Sequence, residues 1–165
     1  MTHASNVYRW MVVVPVLFVE SVCSQNIKPN EIVEITSSST VRETIDVYDL
    51  RLYIRFTIKH SWHINSHEPN DQFLIPTILT IDSSADYSCK DIVYPTAMRT
   101  KLQLSDSGRS LYAGEQMIIA VVTVPKYFHD KSITLKGALQ YQACNDENCL
   151  FPVKKRFDVS VKIHN

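Results

Sequence analysis

Apolar positions in this chain recur with a period of two far more clearly than with any helical period. In LRLYIRFTIK, Leu50, Leu52, Ile54, Phe56 and Ile58 fall on one side, and Arg51, Tyr53, Arg55, Thr57 and Lys59 on the other. Such alternation predicts a strand with one face in a core and the other toward solvent. RFDVSVKI repeats it, with Phe157, Val159, Val161 and Ile163 facing inward. ITLKGALQYQ sets Ile133, Leu135, Gly137, Leu139 and Tyr141 against polar neighbours. MIIAVVTV, Met117 to Val124, is apolar without a break, as suits a central strand. Shorter candidates lie at Ile32 to Thr36, Thr77 to Ile81 and Lys101 to Leu104. No stretch carries a sustained helical period, and about seven short strands separated by turns predict an all-β antiparallel sandwich.

The first 25 residues break this pattern. Arg9 precedes WMVVVPVLFV, Trp10 to Val19, an apolar run of ten residues. A membrane span needs about 20. A basic start, a short apolar stretch and small residues after it read as a secretory signal, cut after Ser24 and before Gln25. The expected organisation is a leader over 1–24 and one domain over 25–165. A buried first strand is the alternative. A lipid anchor on Cys23 is a lesser variant, for which Glu20, Ser21 and Val22 are poor flanks.

Composition narrows the function. Lys and Arg total 17, as do Asp and Glu, so the net charge is zero. Nothing supplies the concentrated positive face that nucleic-acid binding requires. Three glycines in 165 residues exclude a flexible or low-complexity chain. With the leader removed, Cys89, Cys144 and Cys149 remain, in a compartment where disulfides persist. An odd count leaves one thiol over. Cys89, within DYSCKD, is the one expected to be dispensable.

The candidate chemistry lies in YQACNDENCLFPV, residues 141 to 153. Cys144 and Cys149 flank the polar, turn-prone NDEN between two strand-like segments, so their sulfurs are within reach of each other. Three readings stand open. As a staple the pair is weak: loop entropy for a ring of about six residues gives about 2 kcal/mol, against about 4.7 for 100 residues. As a metal clamp it would draw on His60, His63 and His67 of HSWHINSH, but His60 and His63 have opposite strand parity. As a redox pair it would offer an accessible thiolate and a second cysteine to resolve a mixed disulfide. Hydrolases are excluded by the lack of a G-x-S-x-G elbow, H-E-x-x-H or a phosphate-binding glycine loop.

GALQYQACNDENCLFPVKKRFDVSV, together with SWHINSHEPNDQFLIPTILTI and DIVYPTAM, resembles the N-terminal domain of the DsbD thiol:disulfide interchange proteins. The resemblance runs from about Glu31 to Ile163, and YQAC-x4-C-x-x-P is its most specific part. It implies an immunoglobulin-like sandwich exported to the periplasm, with Cys144 and Cys149 as the redox pair and no cofactor. It implies a membrane-embedded or thioredoxin-like electron donor, and exported acceptor proteins such as disulfide isomerases or the thiol proteins of cytochrome c maturation. Tyr141, Gln142, His63 and Asn65 would line the site. DIVYP, Asp91 to Pro95, looks like the family's cap loop, with Val93 or Tyr94 as the shielding residue and Asp91 as a positioning or acid–base group. The family's cap carries an acidic and aromatic run where Ile92 and Val93 stand here.

No membrane region and no C-x-x-C follow the sandwich, so a stand-alone domain reduced by a separate protein is expected. No Lys, Arg or His lies between the cysteines, and Asp146 and Glu147 would raise a thiol pKa. Reactivity would then depend on the docked partner. The competing expectation is an exported, non-catalytic binding sandwich whose disulfide is structural.

Overall fold

The structure, a computed structural model, describes residues 27–100 and 108–163. The proposed leader with Cys23, and the strand candidate at Lys101 to Leu104, lie outside these residues.

Among the described residues, eleven strands follow a 3-10 turn at Pro29–Glu31. They are β1 (Val33–Glu43), β2 (Val47–Ile58), β3 (His63–Asn65), β4 (Ile78–Ile81), β5 (Ser88–Val93) and β6 (Met98–Thr100). After them come β7 (Arg109–Tyr112), β8 (Glu115–Pro125), β9 (Ser132–Tyr141), β10 (Ala143–Cys144) and β11 (Val153–Lys162). They form three antiparallel sheets, in the orders β1-β2-β8-β5, β11-β9-β4 and β10-β3-β7-β6. The fold is an all-β antiparallel sandwich of immunoglobulin-like type.

The alternation in β2 is realised in the packing. Leu50, Leu52, Ile54 and Phe56 are each 0% exposed, and Ile58 closes the row at 3%. The unbroken apolar run lies in β8, between β2 and β5, where Ile118, Ala120, Val122 and Val124 are buried. Leu135, Leu139, Tyr141, Val159 and Val161 bring the β9–β11 face into the same core. Phe157 and Ile163, both predicted to face inward, pack against that core only partly buried. Phe157 lies over Gly137: a Cβ at Gly137 would stand 2.6 Å from the Thr80 carbonyl oxygen and 2.7 Å from Phe157 Cζ. Only glycine fits so close a backbone approach.

Three strands extend or escape the predicted pattern. β1 continues through the polar Ser37, Ser38, Ser39 and Thr40 to Glu43, because main-chain pairing with β2 carries an edge strand whatever its side chains. Asp91, Ile92 and Val93, read from sequence as part of a loop, lie in β5 and pair with β8 around a bulge between Cys89 and Asp91. His63 stands in β3 rather than in a loop, since the chain leaves β2 through a tight turn. Ser61 there takes a left-handed conformation (φ 67°), and the Trp62 amide donates to the Lys59 carbonyl at 3.0 Å.

Candidate functional site

The β9–β10 segment changes sheets over a single residue. Tyr141 ends β9 in the core, where its hydroxyl donates to the Pro29 carbonyl at 3.1 Å and burial pushes its pKa up to about 12. Gln142 intervenes, and Ala143 and Cys144 join β3, opposite Ile64 and His63 respectively. The chain then reverses. Asn145 N donates to the Asn148 carbonyl at 2.9 Å, and Leu150 N to the Ala143 carbonyl at 2.8 Å. Asn145 Oδ1 accepts from the amides of Glu147 and Asn148, at 3.0 and 2.7 Å. Asn at the first position of the NDEN turn therefore does what Asn does best, imitating a backbone acceptor. Gln142 Nε2 ties the returning arm by donating to the Leu150 carbonyl at 3.1 Å.

Within this hairpin Cys144 and Cys149 face each other across an antiparallel bridge and form a disulfide. The backbone bonds at 143–150 and 145–148 bracket them, which makes them a non-hydrogen-bonded pair, the closer-spaced kind. Their Cα atoms are 4.0 Å apart. Exposure differs sharply between the two. Cys144 is 1% exposed, whereas Cys149 is an exposed residue at the edge of the turn.

His63 lies on the other side of Cys144. Burial lowers its pKa, the Arg109 guanidinium lowers it further, and Asp146 pulls in the opposite direction. Its Nε2 is buried without a hydrogen-bond partner. Asn65 is buried and acts on the 66–77 segment: its Nδ2 donates to the Ile75 carbonyl at 2.9 Å, while its own carbonyl accepts from the Thr77 hydroxyl. Ser66 fastens the same segment to β7 through a 2.8 Å bond to the Ser110 hydroxyl.

The Asp91–Pro95 segment is held chiefly through Tyr94. Tyr94 stacks on His67, with ring centroids 3.7 Å apart and planes 2° from parallel. Its hydroxyl accepts from the Leu79 amide at 3.0 Å. The Tyr112 hydroxyl accepts from the His67 amide, and these groups with Ile92 and Arg99 line one open groove. Val93 is half exposed beside them. Asp91 spends a carboxylate oxygen on the Ile92 amide at 2.8 Å. No hydrogen bond joins Asp91 or Tyr94 to either sulfur of the disulfide among the described residues.

Cys89 is a free thiol in β5, and partial burial of its sulfur pushes its pKa up. The structure thus gathers Cys144, Cys149, His63 and Gln142, and sets Val93 and Tyr94 beside His67. Sequence reasoning missed His67 as the partner of Tyr94. It also missed the direct apposition of His63 and Cys144, which arises only from pairing between distant strands.

The chain matches the family described as "Thiol:disulfide interchange protein DsbD, N-terminal" over residues 33–161. None of the curated proteins compared with it matches. Among solved structures, the N-terminal domain of DsbD from Neisseria meningitidis, in the reduced form, is 14% identical, with a TM-score of 0.49 over 83% of this chain and 91% of that one. The N-terminal periplasmic domain of ScsB from Proteus mirabilis is 11% identical, with a TM-score of 0.52 over 81% of this chain. The match covers 47% of the ScsB chain, and at that identity it speaks for the fold alone.

Proposed function

The chain belongs to the DsbD N-terminal family, and on that footing we propose that it carries electrons through Cys144 and Cys149 between exported proteins. The observation that carries this reading is the unequal burial of two disulfide-bonded cysteines in one short hairpin. Exchange proceeds by attack of a thiolate on one sulfur while the other leaves, so access decides which is which. Cys149 is the sulfur a partner reaches. Cys144, 1% exposed, is the one that leaves and later returns.

A dithiol donor attacks Cys149, and the Cys144–Cys149 bond breaks with its electron pair on Cys144. The donor's second thiolate then attacks its own sulfur in the mixed disulfide and frees Cys149. In the second half-reaction Cys149 attacks an acceptor disulfide. Cys144 closes on Cys149, releases the acceptor's thiolate and restores the starting disulfide. Two electrons and two protons pass from donor to acceptor, and no cofactor is required.

The donor in this reading is a membrane-embedded or thioredoxin-like protein. The acceptors are exported disulfide proteins, including those of disulfide isomerisation or cytochrome c maturation. The domain over 25–165 works in the periplasm after removal of 1–24. The Asp91–Pro95 segment serves as a cap, with Tyr94 held in place by His67 and Leu79. A paired-variant trap tests the central step. Cys144→Ser accumulates a mixed disulfide with an oxidised acceptor protein through Cys149, seen by mass spectrometry, and Cys149→Ser accumulates none. Equal trapping by both variants contradicts the assignment.

A further inference from the structure

Cys144 is one member of a three-residue row. Cys149 stands opposite it on one side, and His63 opposite it on the other. Residues directly opposite in antiparallel strands share a face, with Cβ atoms about 4.5–5.5 Å apart. The His63 side chain therefore shares a face with that of Cys144, the more buried of the two cysteines. In the oxidised protein the Cys144 sulfur has no hydrogen to give, and His63 Nε2 is buried without a partner. An unpaired buried ring nitrogen is costly and calls for an explanation. Opening the disulfide supplies one, because it creates a Cys144 thiol donor directly opposite His63 on the same face of the paired strands.

We propose that His63 is the proton-transfer partner of Cys144, a role that rests on the redox reading above. When a donor thiolate attacks Cys149, the departing Cys144 thiolate takes a proton through the His63 ring, which draws it from water. When the disulfide closes again, His63 Nε2 accepts the Cys144 proton, and the resulting thiolate attacks Cys149 and expels the acceptor's thiolate. Water exchanges the proton with the ring between turnovers, so protons and electrons balance in both directions.

The groups facing His63 suit this work. Burial and Arg109 from β7 favour the neutral ring, which is the form that accepts a proton. Asp146, from the turn after β10, favours the charged form and steadies the imidazolium once it has formed. A buried thiol in apolar surroundings is otherwise slow to ionise, since desolvation disfavours its thiolate. Cys144 needs such a partner and Cys149 does not.

The closing step is the place to test it. The reduced protein is mixed with oxidised glutathione, and release of the second glutathione is followed from pH 5 to 9. With His63 present, the closing rate stays high below pH 7. In His63→Gln it falls at least about tenfold at pH 7 and then rises with pH along a single ionisation in the ordinary thiol range, about 8.5 or above. A second readout uses the unaltered protein: by NMR, the His63 ring titrates at a different pH in the reduced and oxidised forms, because its neighbour becomes ionisable. A wild-type rate and profile in His63→Gln, or an unchanged His63 titration on reduction, overturns this proposal and leaves the redox reading intact. If the unaltered protein exchanges neither with glutathione nor with a thioredoxin-like dithiol, both are overturned.

Discussion

The β2–β8 face and the His63–Cys144–Cys149 row are both built from residues opposite one another on paired strands, yet they are graded differently. Along β2 and β8 the inward residues from Leu50 to Phe56 and from Ile118 to Val124 are all fully buried. From β10 to the returning arm, burial falls from an almost fully covered cysteine to an exposed one. A uniform row stabilises, because every side chain gains from leaving water. A graded row reacts, because one sulfur can be reached and the other can leave into cover. The two belong to different sheets, β1-β2-β8-β5 and β10-β3-β7-β6. Opening the disulfide then need not disturb the core.

Substitutions that strike one region and spare the other sharpen this contrast. The largest effect on stability is expected from Gly137→Ala in β9, where a methyl group would collide with the Thr80 carbonyl and the Phe157 ring. A loss of about 1–3 kcal/mol is expected, read as a lower denaturant midpoint, with thiol exchange at the wild-type rate. A matching fall in exchange would show that the regions are coupled.

A smaller effect is expected at the cap. Tyr94→Ala removes the stack on His67 and the acceptor for Leu79 N. Reduction by a small thiol should then quicken several-fold, with circular dichroism unchanged. An unchanged rate would remove shielding from the account and leave Tyr94 as a packing residue of the groove.

The smallest concerns pH. The folded-state pKa of His63 lies below its unfolded value, so the unfolded chain binds more protons as pH falls toward and below about 6.5. His63 therefore makes the domain less stable on acidification through that range, and His63→Gln should flatten the decline. The ring is only half buried, so the contribution is modest. A steeper decline in the variant would reverse the sign assigned to its environment.

How far the sequence revealed this arrangement depended on length. β2, β8, β9 and β11 are long enough for alternation or an unbroken apolar run to declare them, and their inward residues were mostly legible. β3 and β10 span three and two residues. No periodicity fits into so little chain, and they exist because larger elements hold them side by side. The NDEN turn exposed the cysteine pair as a hairpin tip, since turn chemistry is local. It could not show that His63 stands directly opposite Cys144, because that pairing joins strands far apart in sequence. β5 was hidden differently: its largely exposed, polar face at a sheet edge reads as loop until the pairing with β8 is seen.

The central claim is that the Cys144–Cys149 bond is a switch and not a fastening. Reduction with dithiothreitol, followed by thiol labelling with mass mapping and a thermal melt, addresses it most directly. A ring this short contributes about 2 kcal/mol, which shifts the melting temperature of a domain this size by about 4–8 °C. The account predicts that Cys144 and Cys149 both become labelled while a cooperative melt persists within that interval of the oxidised protein. Labelling of Cys144 only together with loss of the melt would mean that the disulfide holds the fold, and would contradict it.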